Sequence, residues 1–256
     1  LARRTRYHQG RGYLTLMPIA QDSADQRAGR AGRVAEGHCI RLWGHAARLE
    51  NVTPPEIHRE SVVPLVLGAL ACGKAPDELP LPDPPAQHAT AAAIDELTAL
   101  GAIAERRLTD RGRKLFRLPL RPELGRILVE AQNTEVFDCA VDLVAALDVA
   151  RPLFQDCTVQ PEDDLRADGC DATSLIRAIR IGVPSQHGLS ARTLYEMRRR
   201  SQRLRDTFGL PKDIPSTLPD GLSPKLAKLV LAADPRSAYV KRVRKRHVAW
   251  SNGGTE

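Results

Sequence analysis

Aromatic residues are scarce in this 256-residue chain, at 4% of the total, with only two tryptophans and two methionines. The core is therefore expected to be aliphatic and helix-rich, a fold that is mainly α with small β elements. The five cysteines, Cys39, Cys72, Cys139, Cys157 and Cys170, are odd in number and form no CxxC pair. That argues against a zinc site and against a disulfide framework. They are expected to be reduced and mostly buried, as in a cytoplasmic protein. No run of about 18 apolar residues occurs, so no transmembrane helix and no membrane partner are expected. No secretory leader is visible. Asp163 and Asp164 sit in an acidic polar loop over 155–171 without further clustered ligands, and read as solvated carboxylates with no metal.

Charge is what the chain does have. The net charge is +7, and it is distributed in blocks. Residues 1–49 carry nine basic and three acidic side chains, and 50–100 carry two and eight. Residues 135–171 hold two basic against ten acidic, and 172–256 hold seventeen against six. Blocks of alternating sign imply segments with different partners, the basic ends favouring a polyanion.

The chain opens with two extended runs around Gly10-Arg11-Gly12, which read as a β-hairpin. Ser23 followed three residues on by Gln26 fits a capping box that opens a helix. Val34 to Gly37 reads as a turn and His38 to Trp43 as a strand. Ile57 to Ala71 reads as a helix, and the prolines between Ala75 and Pro85 as an extended connector. A helix over 86–100 stops at Gly101, a small hairpin follows over 102–108, and Thr109-Asp110 can cap the next helix. Helix, helix and short hairpin make a winged-helix arrangement. The second helix is Ala-rich with Asp95 and Glu96, a poor groove reader, which favours a packing role. Helices follow over 123–131, 136–149, 173–181, about 190–208 and 224–232. Tyr239 to Trp250 alternates apolar and basic residues as a strand or two would, and 251–254 reads as a turn.

The candidate chemistry is concentrated in Gln26-Arg27-Ala28-Gly29-Arg30-Ala31-Gly32-Arg33. Arginines three apart on a helix advance by roughly 300° per step and form a slowly drifting stripe. Small residues between them allow close approach. A planar, permanently charged fork is the side chain best suited to phosphate oxygens. In the helix over 190–208, Arg198, Arg199, Arg200, Arg203 and Arg205 make a basic patch opposite Leu194, Met197 and Leu204. A solvated amphipathic face and a phosphate contact are both open readings of that patch.

The string from Ser23 to Trp43 resembles motif VI of superfamily 2 helicases of the DEAH/RHA group. Leu97 to Ala131 resembles the helicase-associated region that follows it, with its LTxxGR step and LPLxP entry into a helix. Leu1-Ala2-Arg3-Arg4 and the compact 51–131 region are similar to the bacterial HrpB-like members. The resemblance implies that 1–48 is the tail of the second RecA-like α/β domain. It makes 51–121 a winged helix, 122–210 a helical-bundle (ratchet) domain, and 211–256 a linker, a helix and the start of an OB-fold. It implies that Gln26, Arg30 and Arg33 are catalytic residues reaching the triphosphate of ATP with Mg²⁺, while Arg27 faces the domain itself. Single-stranded RNA is the implied partner, with Arg198, Arg199, Arg203, Lys241, Arg242 and Trp250 as candidate contacts.

A GK[ST] phosphate loop and an acidic Mg²⁺ motif, both needed for nucleotide hydrolysis of this kind, are absent from the sequence. The expectation is a C-terminal portion of an ATP-dependent RNA helicase, inactive alone and completed by the RecA-like domains it lacks. The alternative is a non-catalytic nucleic-acid-binding or interaction module.

Overall fold

A computed structural model describes residues 2–8, 11–44, 47–149, 151–154, 165, 169–244 and 247–251. The backbone forms two compact units, residues 1–97 and 98–256. Among the described residues the fold is mainly helical, with three two-stranded antiparallel sheets. No helix there is long and apolar enough to cross a membrane.

In the first unit, β1 (Ala2–His8) pairs with β2 (Arg11–Met17) in a register running from Ala2↔Met17 to His8↔Arg11. Helix α1 (Gln21–Ala31) follows. A 3₁₀ turn at Glu56–His58 precedes α2 (Val63–Ala71). Pro64 lies in the first turn of α2, where its missing N–H costs nothing. α2 buries Val63, Val66, Leu67 and Ala69. The proline-dense connector contains one 3₁₀ turn, Pro76–Glu78, before α3 (Gln87–Ala99), which buries Ala93 and Leu97.

Just inside the second unit, Gly101, at φ +67°, ends α3. Strands β3 (Ile103–Ala104) and β4 (Arg107–Leu108) are joined through Glu105 and Arg106, both at positive φ. Helix α4 (Asp110–Arg117) is capped by Thr109, whose Oγ1 accepts the Gly112 N–H at 3.0 Å. A Cβ on Gly112 would sit 2.1 Å from the Ala102 carbonyl oxygen, so only glycine lets α4 lie this close to the hairpin.

Then come α5 (Pro122–Ala131), α6 (Phe137–Leu147), α7 (Asp171–Ile181), the short α8 (Pro184–His187), α9 (Ala191–Phe208) and α10 (Leu222–Ala233). Strands β5 (Val240–Arg244) and β6 (His247–Ser251) close the described chain. α6 is the hub. It packs against α5, α7 and α9, and every residue from Cys139 to Ala146 is buried. A helix apolar all round is one surrounded by others. Its core partners include Leu128, Ile176, Leu204 and Leu226. A second cluster under Ala146 gathers Leu165, Ile179, Leu194 and Met197.

One carboxylate breaks the apolar surface of α6. Asp142 has no exposed area, and it accepts from Ser201 Oγ at 2.5 Å, Arg180 Nε at 2.9 Å and Arg205 Nη2 at 3.3 Å. Asp138, one turn earlier, pairs with the same two arginines. Their remaining N–H groups donate to the carbonyls of Thr217 and Pro211, so the buried cluster also pins the linker into α10.

Several sequence expectations are corrected. α1 begins at Gln21, two residues before Ser23, and its N-cap Ala20 makes no side-chain bond. Its first amides donate instead to the carbonyls of Glu50 and Asn51, at 2.7 and 3.2 Å. α1 ends at Ala31, so Arg33 lies in the turn after it and off the helical stripe. Residues 38–43 form no strand among the described elements, because no neighbouring strand offers them a hydrogen-bond ladder. The helix expected from Ile57 starts only at Val63, set by Pro64. Of the described cysteines only Cys139 is buried; Cys39 and Cys72 are exposed and Cys170 is intermediate. Cys39 belongs to the unpaired 38–43 segment, and Cys72 caps the end of α2. Cys157, Asp163, Asp164 and 252–254 lie outside the described residues.

Candidate functional site

The N-terminal end of α1 is bolted down. Asp22 Oδ2 accepts the Thr53 N–H and Oδ1 its hydroxyl, both at 3.0 Å, in addition to the two backbone bonds from residues 21 and 22. Ala24 is the buried residue of the helix. Beyond it Gln26, Arg27 and Arg30 are exposed, as is Arg33 in the following turn. Arg27 is exposed along with the others.

The acid within the arginine string is already neutralised. Asp25 accepts from Gln21 Nε2 at 3.0 Å and from Arg41 Nη2 at 2.5 Å. The Arg41 guanidinium in turn lies 6.0 Å over the Trp43 ring. Arg27, Arg30 and Arg33 have no carboxylate partner among the described residues, so their charge is uncompensated. A Cβ placed on Gly29 or Gly32 would meet nothing within 4 Å, so the surface between the arginines is open. The loop then folds back closely: a Cβ on Gly37 would sit 2.1 Å from the Ala31 carbonyl oxygen. Guanidinium forks on an open, side-chain-poor surface suit an oxyanion that arrives from outside.

The five arginines expected as one basic patch on α9 divide into two groups. Arg205 is fully buried in the Asp142 cluster. Arg200 pairs with Asp148. Arg198 turns inward, its Nε donating to Ile179 O at 2.7 Å and its Nη2 to Gly182 O at 2.8 Å. It satisfies the carbonyls at the end of α7, the usual orphan groups of a helix C-terminus. Arg199 and Arg203 alone of the five remain on the exposed face without an ion pair among the described residues.

Tyr195, not singled out from the sequence, shares that face at 66% exposure, one turn before Arg199. The 3.6-residue spacing of Tyr195, Arg199 and Arg203 was the available signal. Lys241 is exposed, and the β5–β6 register sets it opposite Trp250 while Arg242 stands opposite Ala249. Among the described residues no group of three or more His, Cys, Asp or Glu side chains converges as a metal site would.

No protein-family profile matches the chain. It is 36% identical over 157 residues to the human probable ATP-dependent RNA helicase DHX37, a match covering 54% of this chain and 14% of that protein. It is 35% identical over 148 residues to the Escherichia coli ATP-dependent RNA helicase HrpA, covering 54% and 11%. The chain thus spans less than a fifth of the length of these curated relatives. The crystal structure of the E. coli DExH-box NTPase HrpB superposes with a TM-score of 0.67 at 24% identity. That match covers 98% of this chain and 28% of HrpB, a likeness of fold.

Proposed function

We propose that this chain, a relative of the DEAH-box ATP-dependent RNA helicases, is the C-terminal portion of such an enzyme. In this reading it brings motif VI arginines to a nucleotide held by preceding RecA-like domains, and contacts RNA through its helical and C-terminal parts. The observation that carries it is the uncompensated pair Arg30 and Arg33 on an open glycine surface within QRAGRAGR.

ATP with Mg²⁺ is the proposed cofactor, and the donor set here fits only its anionic side. Gln26, Arg30 and Arg33 can hold phosphate oxygens, while the GK[ST] loop and the acidic Mg²⁺ motif do not occur in this sequence. Arg30 and Arg33 neutralise charge that develops during phosphoryl transfer, an effect of about 10³–10⁵-fold for arginine fingers. Gln26 orients the γ-phosphate or the attacking water. The four-part division carries over as a proposal: RecA-like tail over 1–48, winged helix over 51–121, ratchet over 122–210, and linker, helix and OB-fold start over 211–256. On the nucleic-acid side Arg199, Arg203, Lys241, Arg242 and Trp250 serve as RNA contacts, with Arg198 reassigned to holding α7.

The chain by itself should bind single-stranded RNA with steep salt dependence and turn over no ATP. Turnover by the isolated chain would overturn the reading. In a parent that carries the phosphate loop, Arg33→Ala should lower kcat for ATP hydrolysis by about 10³-fold while nucleotide binding persists. Unchanged hydrolysis would remove the arginine-finger role.

A further inference from the structure

The sequence from Arg106 to Arg121 carries a basic surface that neither the α1 arginines nor the α9 face includes. Arg106, Arg107, Arg113, Lys114, Arg117 and Arg121 are all exposed. At about 100° per residue, Asp110, Arg113, Lys114, Phe116 and Arg117 fall within an arc of roughly 160° on α4. The opposite side is fixed by burial of Gly112 and Leu115 and by Arg111 pairing with Glu130 of α5. The orientation of the charged arc is thus dictated by the core. Arg113 joins this arc to the hairpin, its Nη1 donating to the Leu108 carbonyl at the end of β4 at 3.1 Å.

Two carboxylates lie nearby, Glu105 and Asp110, and Arg113 occupies Asp110 at 2.6 Å. Arg106, Arg107, Lys114, Arg117 and Arg121 keep their charge without an ion-pair partner among the described residues. Phe116, 48% exposed, lies at one edge of this arc beside Arg113 and Arg117, with no other large apolar side chain of α4 beside it in solvent. A protein partner would need an apolar patch with a polar rim, and here a single ring borders a cationic arc. Cations tracking a backbone around one aromatic ring is the chemistry of single-strand binding.

We propose that the β3–β4 hairpin and α4 form a second single-strand site, with phosphates on Arg106, Arg107, Lys114, Arg117 and Arg121 and one base stacked on Phe116. That the strand is RNA rests on the helicase reading above. The site extends the nucleic-acid path to a region whose helix composition had suggested packing alone.

The test is fluorescence anisotropy of a labelled oligouridylate against the full 256-residue chain across a salt series. Phe116→Ala should weaken binding by about fivefold or more at fixed salt and leave the salt slope unchanged. Phe116→Trp should keep or tighten it, separating stacking from folding. The Lys114→Ala/Arg117→Ala double variant should lower the log–log salt slope by about 1.4. Wild-type-like binding by both Phe116→Ala and the double variant overturns the site. If Arg199→Ala/Arg203→Ala weakens binding and the α4 variants do not, this site fails and the RNA reading stands. If the wild-type chain binds no RNA at low salt, the RNA reading fails and this proposal with it. Equal competition by polyglutamate with no effect of Phe116→Ala would point to an acidic protein partner and overturn it.

Discussion

Asp142 carries its charge into the middle of α6 with no exposed surface, and the molecule answers with two guanidiniums and a hydroxyl. Removing one member strands the others. Asp142→Ala should destabilise the chain by about 3–5 kcal/mol in urea unfolding, and a loss below about 1 kcal/mol would show the cluster to be incidental. Its neighbour Cys139, 1% exposed, has its thiol pushed up to about 11 by burial. The native thiol stays protonated while the unfolded one ionises from about pH 9, so the unfolded state binds fewer protons above that point. Stability is then full below pH 9 and falls as pH rises from 9 towards 11. Cys139→Ala should flatten that part of the pH–stability curve. Iodoacetamide at neutral pH should modify the exposed Cys39 and Cys72 and spare Cys139 in the folded chain. The Asp142 cluster was not legible beforehand. Asp142 reads in the sequence as an acid interrupting an apolar run, and its partners Arg180 and Arg205 stand 38 and 63 positions away.

Several element ends built from neighbouring residues were legible, although α2, whose start Pro64 sets, was not. Thr109, Gly101, Ser190 and Gly209 each punctuate a helix with their own side chain or backbone, and α3, α4 and α9 stop or start there. α1 was misplaced because carbonyls from Glu50 and Asn51 satisfy its first amides. Residues 38–43 form no strand because none of the described strands lies beside them, and a sequence cannot say whether a partner strand is present. On α9 the sequence located the basic helix, and only packing told its arginines apart. That distinction is measurable. Arg198→Ala removes bonds to Ile179 and Gly182 and should cost about 1–3 kcal/mol of stability while leaving the RNA salt slope unchanged. Arg199→Ala/Arg203→Ala should do the reverse, lowering the slope by about 1.4 with little change in melting temperature. If Arg198→Ala altered the slope as strongly, its inward geometry would not hold in solution.

Across the whole molecule, buried apolar contacts are unevenly spread, and stability should follow them. The hydrophobic clusters packed around α6 belong to the second unit, between Leu124 and Ala233. In the first unit, the described residues from 25 to 61 contribute no buried apolar side chain, while Val34, Ile40 and Leu42 are 101%, 84% and 93% exposed. Among the described residues, 32–44 are held by a backbone bond from residue 47 to Gly44 and by the Arg41–Asp25 pair. Proteolysis requires local opening, and opening costs least where few buried contacts are lost. Trypsin should therefore cut first after Arg33, Arg41 or Arg48, and the helices around α6 should survive longest. First cuts within α5 to α9 would contradict that order. Ile40, Leu42 and Trp43 beside the arginine-bearing helix are the kind of apolar surface a neighbouring sheet would cover. Under the helicase reading, adding the preceding RecA-like domains should slow cleavage at these three arginines specifically. Cleavage there that stays as fast in the longer chain would mean that 32–48 is not packed by those domains, and Arg33 would then be poorly positioned for a nucleotide.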